Sequence, residues 1–508
     1  MTPPRLTAAL LADPSWRATA SVSVPTPATL ALPERAVQFG TGAFLRGFID
    51  YFLDVANARG QFNGRVVAIG STGSGREGAF AAQDGLYTLV SRGITRGASS
   101  EERRLIGVVS RVLSAATDWE AVLACARAPE LTTIFSNTTE VGIVFDPGDR
   151  FDASPPVSFP GKLTRFLYER ATTFAFDASH GLIVVPCELI AQNGAALRAL
   201  VMRFTELWRL DARFVPWLNA NVTFCNTLVD RIVPGTPAGA DATSLADALG
   251  YRDDLLTTAE HFRQFVIEGP DTLAERLGFV THDSGIIIAK DIEPYRQRKV
   301  RLLNGTHSIS VATALMCGCV TVHDAMTHPG VRAFMRRVLL SEIVPTLDVP
   351  DAERFARSVL ERFENPFIRH ALFDITLHGT AKLRVRIVPT LVRAAEMRGS
   401  VPDALAFGFA AHLCFLRGDL QRRRVVAGLP VPPDEAGARI RAAWATSPES
   451  DRIALHTMVR AILSDTEMWG TDLSQLATFT DAVTLHLSRI ITLGADRALG
   501  TVLTTALT

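Results

Sequence analysis

The stretch RAVQFGTGAFLRGFIDYFLDVANARG, residues 35–60, decides the fold. It opens on a short apolar run, RAVQF (35–39), that breaks into Gly40-Thr41-Gly42. After the break, Phe44, Phe48, Tyr51, Phe52 and Val55 recur at helical spacing, and Gly60 is a residue that ends helices. RVVAIG (65–70) is a second apolar run of strand length. Strand, glycine turn, helix, strand is one β-α-β unit. In such a unit the turn glycines let backbone N–H groups approach a pyrophosphate, and the field at the helix N-terminus favours its charge. The usual fingerprint has a third glycine where Leu45 stands, and a GxG pair alone also fits an ordinary tight turn.

Outward from this unit, further strand-like runs are LYTLVSRG (86–93), TTIFSN (132–137), GLIVVPCEL (181–189) and GIIIAKDI (285–292). Helical patterns lie between them at 119–127, 161–173 and 194–209. This alternation predicts an α/β, Rossmann-like, doubly wound domain over residues 1–292. Residues 1–33, rich in Pro and Ala, read as an irregular lead-in. Beyond DIEPYRQ (291–297), where Pro294 breaks what precedes it, strand runs become scarce. Helical patterns follow at 296–316, 330–340, 352–364, 370–395, 402–416, 434–445 and 450–464, so residues 293–508 read as a mostly α-helical domain. LPVPPDEAG (429–437) is its one Pro-rich loop.

The 508 residues are 47% hydrophobic and balance 52 Lys plus Arg against 52 Asp plus Glu. A net charge of zero gives no support to nucleic-acid or anionic-membrane binding. Cysteines at 125, 187, 225, 317, 319 and 414 are scattered, form no CxxC pair, and read as small buried residues in a reducing compartment. The N-terminus lacks the charged and apolar regions of a signal peptide. The longest apolar runs fall far short of the roughly 20 residues of a bilayer span. A soluble cytoplasmic protein is expected, with monomer and dimer both compatible with the sequence.

Polar residues interrupt the apolar runs at several places. The second strand ends in AIGSTGSGR (68–76) without the acid that holds an NAD ribose; Ser71, Thr72, Ser74 and Arg76 tolerate a 2′-phosphate, so NADP stays open beside NAD. Asn137 and Thr138 follow a strand directly, as ligand contacts and as turn residues both do. Asp230 and Arg231 sit among Leu228, Val229, Ile232 and Val233; such charges need partners, in an ion pair or in a site. In RKVRLLNGTHS (298–308), ideal helix geometry puts Asn304 about 140° and His307 about 80° from Lys299. Gly305 costs about 1 kcal/mol of helix stability relative to Ala, which suggests close backbone approach. Lys299 has Arg296, Arg298 and Arg301 nearby; a lysine dehydrated beside other cations becomes a base, and one in water is merely part of a basic helix face. Spacing alone leaves both readings of Lys299 open.

Taken together, VTFCNTLVDRIVP (222–234), the Lys299-x4-Asn304-x2-His307 pattern and GTGAFLR (40–46) resemble the mannitol dehydrogenase family of polyol-specific long-chain dehydrogenases. The likeness runs over nearly the whole chain. It is strongest toward members that act on sugar acids, carried by QDGLYT (83–88), FSNTTEVGI (135–143), KLTRFLYER (162–170), PCELI (186–190), the run from DTLAERL to DIEPYRQRKV (271–300) and RFENPFIRH (362–370). The resemblance implies metal-independent hydride transfer between NAD(H) and a sugar acid, D-tagaturonate and D-altronate first; D-fructuronate or a simple polyol such as mannitol comes second. A non-catalytic dinucleotide-binding regulator would have lost the catalytic trio, which is intact.

The resemblance implies Lys299 as general acid and base, Asn304 as hydrogen-bond donor to the developing alkoxide, and His307 orienting a substrate hydroxyl or Lys299. It implies cofactor contacts at Phe39, Gly40, Thr41, Gly42, Ala43, Phe44, Arg46, Ser71, Asp84, Asn137 and Thr138. Asp230 and Arg231 would border the pocket, with Arg362 and Arg369 as candidates to clamp a substrate carboxylate. Mannitol-type members resemble CDNL where this chain has Cys187-Glu188-Leu189-Ile190. Leu189 cannot donate a hydrogen bond, which speaks against a simple polyol.

Overall fold

The computed structural model describes residues 3–70, 76–95, 97–138, 142–417, 432–446 and 451–504. Ser71, Thr72 and Ser74 of the cofactor reading, and residues 429–431 of the Pro-rich loop, lie outside the described residues. The chain divides into two compact units: Met1–Gly93 with Ser99–Ile292, and Glu293–Thr508 with Ile94–Ala98.

The strands, in chain order, are β1 (Glu34–Phe39), β2 (Arg65–Gly70), β3 (Tyr87–Thr95), β4 (Ala98–Ile106), β5 (Val109–Ser114), β6 (Thr133–Ser136), β7 (Leu182–Pro186), β8 (Val222–Phe224), β9 (Thr227–Asp230), β10 (Thr257–Glu260), β11 (Gln264–Glu268) and β12 (Ile286–Ala289). Six form one sheet in the order β5-β2-β1-β6-β7-β8, with every pairing parallel. Counted among themselves they run 3-2-1-4-5-6, the Rossmann order.

Side-chain alternation explains why the sheet is covered on both faces. Along β2, Val66 and Ala68 enter one apolar cluster while Val67 and Ile69 enter another. Along β7, Ile183 and Val185 join the first, Leu182 and Val184 the second. Successive strand residues point to opposite faces, so a strand apolar at every position needs a layer on each side. The helix Ile49–Asn57 supplies residues to the first layer; Trp119–Ala126, Phe159–Thr173 and Asn193–Leu207 supply the second. Each fully buried Leu, Val or Phe contributes about 1.5–3 kcal/mol. The order reverses between β1 and β6, and open α/β sheets bind ligands outside the carboxyl ends there.

Several local expectations are corrected. The lead-in is not irregular: Ala8–Ala12, Pro14–Thr19 and Pro27–Leu30 are short helices, each started by a side-chain cap from Thr7, Asp13 or Thr26. The helix after the glycine turn is two pieces, Ala43–Gly47 and Ile49–Asn57, because Phe48 leaves helical geometry at φ −129°. The runs 86–93 and 285–292 are strands, but not of the main sheet. β3 lies in a three-stranded sheet ordered β10-β3-β4, and β12 in another ordered β12-β11-β9. Strand period does not identify the partner strand.

The second unit is helical. Asp403–Phe415 is buried on every side and packs against Thr306–Met316 and Phe479–Leu493. Gly408 makes that packing possible, since a Cβ there would stand 2.5 Å from Ile309 Cγ1. The buried carboxylate of Glu342 accepts from the backbone N–H groups of Ala404 and Leu405 at 3.0 and 2.8 Å, answering two orphan donors of that helix. The predicted helix 370–395 is broken into Leu372–Thr376, Gly379–Arg386 and Val388–Arg398, with His378 at φ 52° marking the first break. Pro294 starts a helix, Glu293–Arg298, and so stands at a boundary instead of interrupting an element. Among the described residues no helix is long and apolar enough to cross a membrane.

Candidate active site

In the first unit the glycine turn joins β1 to the helix Ala43–Gly47. Gly40 has φ +136°, and a Cβ there would stand 2.9 Å from Leu45 Cδ1 and 3.2 Å from the Asn137 carbonyl. Only glycine suits that conformation and that approach of β1 to the end of β6. Gly42 is different. A Cβ on it would meet nothing within 4 Å, so the backbone that opens the helix faces free space. Its N–H groups have no side-chain cap. Orphan donors beside open space at the sheet's reversal point fit a pyrophosphate.

Arg46 serves this turn from behind. It is 2% exposed; its Nη1 donates to the Thr41 carbonyl at 2.7 Å and its Nε to Thr257 Oγ1 at 3.0 Å. The Tyr87 hydroxyl lies 3.0 Å from the Arg46 carbonyl and 2.8 Å from Asp50, whose carboxyl burial pushes up to about 7. Arg46 therefore braces the turn. The Phe39 ring packs in the core against Phe159 and Phe166. Phe44 is half-buried and stacks on Phe48 at 4.9 Å. Asp84 is exposed at a turn, φ 55°, where it accepts from the Ala8 N–H at 2.9 Å. That places it as a surface tie for the N-terminal helices.

Asn137 and Thr138 stand at the carboxyl end of β6, beside Gly40. Asn137 Nδ2 donates to the Cys187 carbonyl at 2.9 Å. The buried Glu188 carboxylate accepts from Ser136 Oγ, the Thr138 N–H and Thr138 Oγ1 at 3.1, 2.9 and 3.2 Å. Burial raises its pKa, and these bonds oppose the shift. Glu188 thus fixes the loop after β6, a role sequence reasoning missed although a charge two residues after LIVVP (182–186) was its signal. Leu189, next along, is 66% exposed.

Arg231 has a structural place. Its Nε, Nη1 and Nη2 donate to the Glu260 carbonyl, the Gly47 carbonyl and Ser91 Oγ at 2.9, 2.6 and 2.7 Å. It lies over the Tyr51 ring at 4.7 Å, and burial beside Arg263 lowers its pKa to about 10. With three donor groups used inside the core, it ties β10 and the helix Ala43–Gly47 to β3. Val233 presses on Gly47, where a Cβ would come within 2.7 Å, so Arg231 and Val233 both support the helix that opens at the glycine turn. Asp230 is buried at the end of β9, in register with Gln264.

In the second unit, Lys299–Gly305 is π-helical, not α-helical. The expected 140° between Lys299 and Asn304 therefore does not hold. A π-turn bonds residue i to i+5, which brings two residues five apart closer round the axis than an α-turn does. Both side chains are half-buried, and Asn304 makes no side-chain hydrogen bond among the described residues. Gly305 admits the close approach its presence suggests: a Cβ would stand 3.1 Å from Ile387 Cδ1 and 3.3 Å from the Arg386 carbonyl.

His307 is buried, its ring 4.2 Å from Phe363 and 5.2 Å from His370. Burial, then the nearby His370, Arg362 and Arg386, hold its pKa well below the ordinary value, so it is neutral. Arg362 is buried in the last turn of Ala352–Phe363; Arg369 is exposed. Arg386 donates to Ser308 Oγ at 3.0 Å, and Lys382, half-buried, donates to the Ile375 carbonyl at 3.1 Å. The sequence reading overlooked His370, Lys382 and Arg386, which lie far from the trio along the chain. The only signal was a cluster of basic residues in AKLRVR (381–386). Among the described residues no group of three His, Cys, Asp or Glu side chains could hold a metal ion.

His412, also buried, is bonded to Thr380 at 3.0 Å, and burial lowers its pKa. A histidine kept neutral by folding contributes stability above its ordinary value near 6.5 and loses it as pH falls. Buried carboxylates such as Asp50 titrate with the opposite sign. Comparison with His412→Gln isolates the histidine: the parent's advantage in thermal stability should shrink between pH 7 and 5, by up to about 1.4 kcal/mol per unit. A constant difference in melting temperature across that range would refute the assignment.

Residues 34–279 match the model of the mannitol dehydrogenase Rossmann domain, and 291–491 that of the mannitol dehydrogenase C-terminal domain. The chain belongs to the mannitol dehydrogenase family. Among relatives in this family, altronate oxidoreductase of Klebsiella pneumoniae is 41% identical over 466 residues, 91% of this chain and 95% of that protein. The Bacillus subtilis altronate oxidoreductase is 40% identical over 92% and 95%. Two solved structures share the fold at 24% identity. One is Pseudomonas fluorescens mannitol 2-dehydrogenase, with TM-score 0.68 over 98% of this chain and 99% of that one. The other is a D-sorbitol dehydrogenase, with TM-score 0.79 over 97% and 100%.

Proposed function

We propose that this chain is a cytoplasmic, NAD(H)-dependent oxidoreductase that interconverts a sugar acid pair, D-tagaturonate and D-altronate. The observation that carries the reading is identity of 40–41% to altronate oxidoreductases over about nine-tenths of both chains. The site chemistry agrees with it. A uronate brings a carboxylate, and the surroundings of His307 hold Arg362, Arg386 and His370. Leu189, which cannot donate, stands where polyol-acting members place an asparagine.

In this reading residues 1–292 bind the dinucleotide and 293–508 carry the acid–base chemistry. The open backbone at Gly42 and the N–H groups that follow take the pyrophosphate, while Arg46 and Glu188 keep the turn and the β6 loop in place. NADH supplies the hydride. Lys299 gives its ammonium proton to the ketone oxygen, and the same amine recovers it when the alcohol is oxidised. Asn304 Nδ2 donates to that oxygen as charge develops on it. Neutral His307 orients a substrate hydroxyl, and the acid–base work is Lys299's, not a metal's.

NADH oxidation with D-tagaturonate, D-fructuronate and D-fructose, each repeated with NADPH, tests the assignment. Fastest turnover of D-fructuronate or D-fructose would overturn it. Arg362→Gln should raise KM for the uronate about tenfold to a hundredfold, the value of one charge-assisted hydrogen bond, with a smaller change in kcat. An unchanged KM would remove Arg362 from substrate binding.

A further inference from the structure

We propose that the second unit contains a second anion site, separate from the face that carries Lys299. It would take a small organic oxyanion, bound through a phosphate or carboxylate group by Arg301 and Arg384. The site goes beyond the hydride-transfer reading and has no part in it.

The starting observation is an unanswered charge. Arg301 belongs to the π-turn and is half-buried. Its Nη1 donates to Thr390 Oγ1 at 2.7 Å and its Nε reaches Gln297 Oε1 at 3.4 Å. Both acceptors are neutral. Among the described residues no carboxylate lies within ion-pair distance of it. Burial lowers its pKa, as expected for a guanidinium that has lost water without gaining a counter-charge. A cation in that situation favours an anion beside it.

A cavity of about 640 Å³ lies beside it, a volume that suits a small-molecule ligand. Arg384 lines the same cavity and is likewise without a carboxylate partner among the described residues. It is held in place by the Glu467 carbonyl, 3.1 Å from its Nη1, and by the bare backbone of Gly470, where a Cβ would stand 3.1 Å from its Nε. Two placed guanidinium groups facing one space suit an oxyanion. Val388, Val392 and Trp469 add apolar lining, which suits a carbon skeleton. The cavity's other charges do not cancel the pair: Arg393 and Glu396 bond each other at 3.4 Å, and Asp348 is exposed and outside ion-pair distance of both arginines.

The site is distinct from the trio. Arg301 follows Lys299 by two residues, which on a helix turns the side chain about 160° away. The cavity lining contains neither Lys299, Asn304 nor His307.

Calorimetric titration of the full-length protein tests the proposal, in amine buffer at constant ionic strength. Inorganic phosphate is one arm and succinate the other, which distinguishes a phosphorylated from a carboxylated ligand. Saturable binding of either anion, one per chain, is expected. Arg384→Gln and Arg301→Gln should each weaken it about tenfold or more, and Arg362→Gln should leave it unchanged. If Arg301→Gln does not fold, the exposed Arg384 decides. Three results would overturn the site: no saturation with either anion, equal affinity in the parent and Arg384→Gln, or loss of binding on Arg362→Gln alone.

Discussion

Lys299→Ala is expected to lower kcat by about 10²–10⁴-fold, the usual contribution of one positioned acid–base group, with dinucleotide affinity nearly unchanged. The separation follows from where the residues sit. Lys299 belongs to the π-turn of the second unit, while the glycine turn, Arg46 and Glu188 belong to the first. Lys299→Arg should be almost as inactive, because a guanidinium keeps the charge but does not release its proton near neutrality. Steady-state kinetics with the uronate, together with NADH fluorescence titration, read the two effects apart. A variant that kept kcat within about twofold of the parent would remove Lys299 from the chemistry.

Arg231→Met should act on stability and leave substrate recognition alone. The substitution would strip the Glu260 and Gly47 carbonyls and Ser91 Oγ of one donor each. Buried polar groups left without partners cost about 1–3 kcal/mol apiece, and loss of packing against Tyr51 adds to that. A total of about 3–5 kcal/mol is a large share of a typical folding free energy. A denaturant or thermal midpoint measures it. The protein that remains folded at low temperature should keep its KM for the uronate. Unchanged stability with a sharply raised KM would return Arg231 to the substrate pocket.

How much of this was legible beforehand depended on whether the information was local. The β1–turn–β2 unit was readable because strand period, turn glycines and helix spacing are all set by neighbours in sequence. The strands β3 and β12 were readable as strands but not by sheet, since pairing is chosen by surfaces that the strand's own residues do not describe. Phe48 ended a helix at a position that fitted the apolar pattern. Lys299, Asn304 and His307 stood out through spacing, yet their geometry came out differently, because a π-turn bears no mark in composition. Arg231 was visible as a charge in apolar surroundings; that its donors reach two carbonyls and a serine hydroxyl is a matter of tertiary placement. His370 and Arg386 reach His307 only through folding, so no window on the sequence could join them.

The π-turn also sets a rule for how this protein tolerates change in length. A π-turn holds one more residue than the α-turn it replaces, so Lys299–Gly305 carries a residue of slack that the helices on either side do not. Deleting a single residue there would let the segment relax to an ordinary helix without breaking it. The chain would stay folded, and the helices on either side would keep their register, because the residue removed is the one the π-turn had absorbed. A deletion between Lys299 and Asn304 would leave them four residues apart and Lys299 and His307 seven apart, about 40° and 20° round an α-helix, so the three would still share one face. This segment should therefore accept the loss of a residue where its helical neighbours would not, and a library of one-residue deletions would show the difference as folding retained within Lys299–Gly305 and lost outside it.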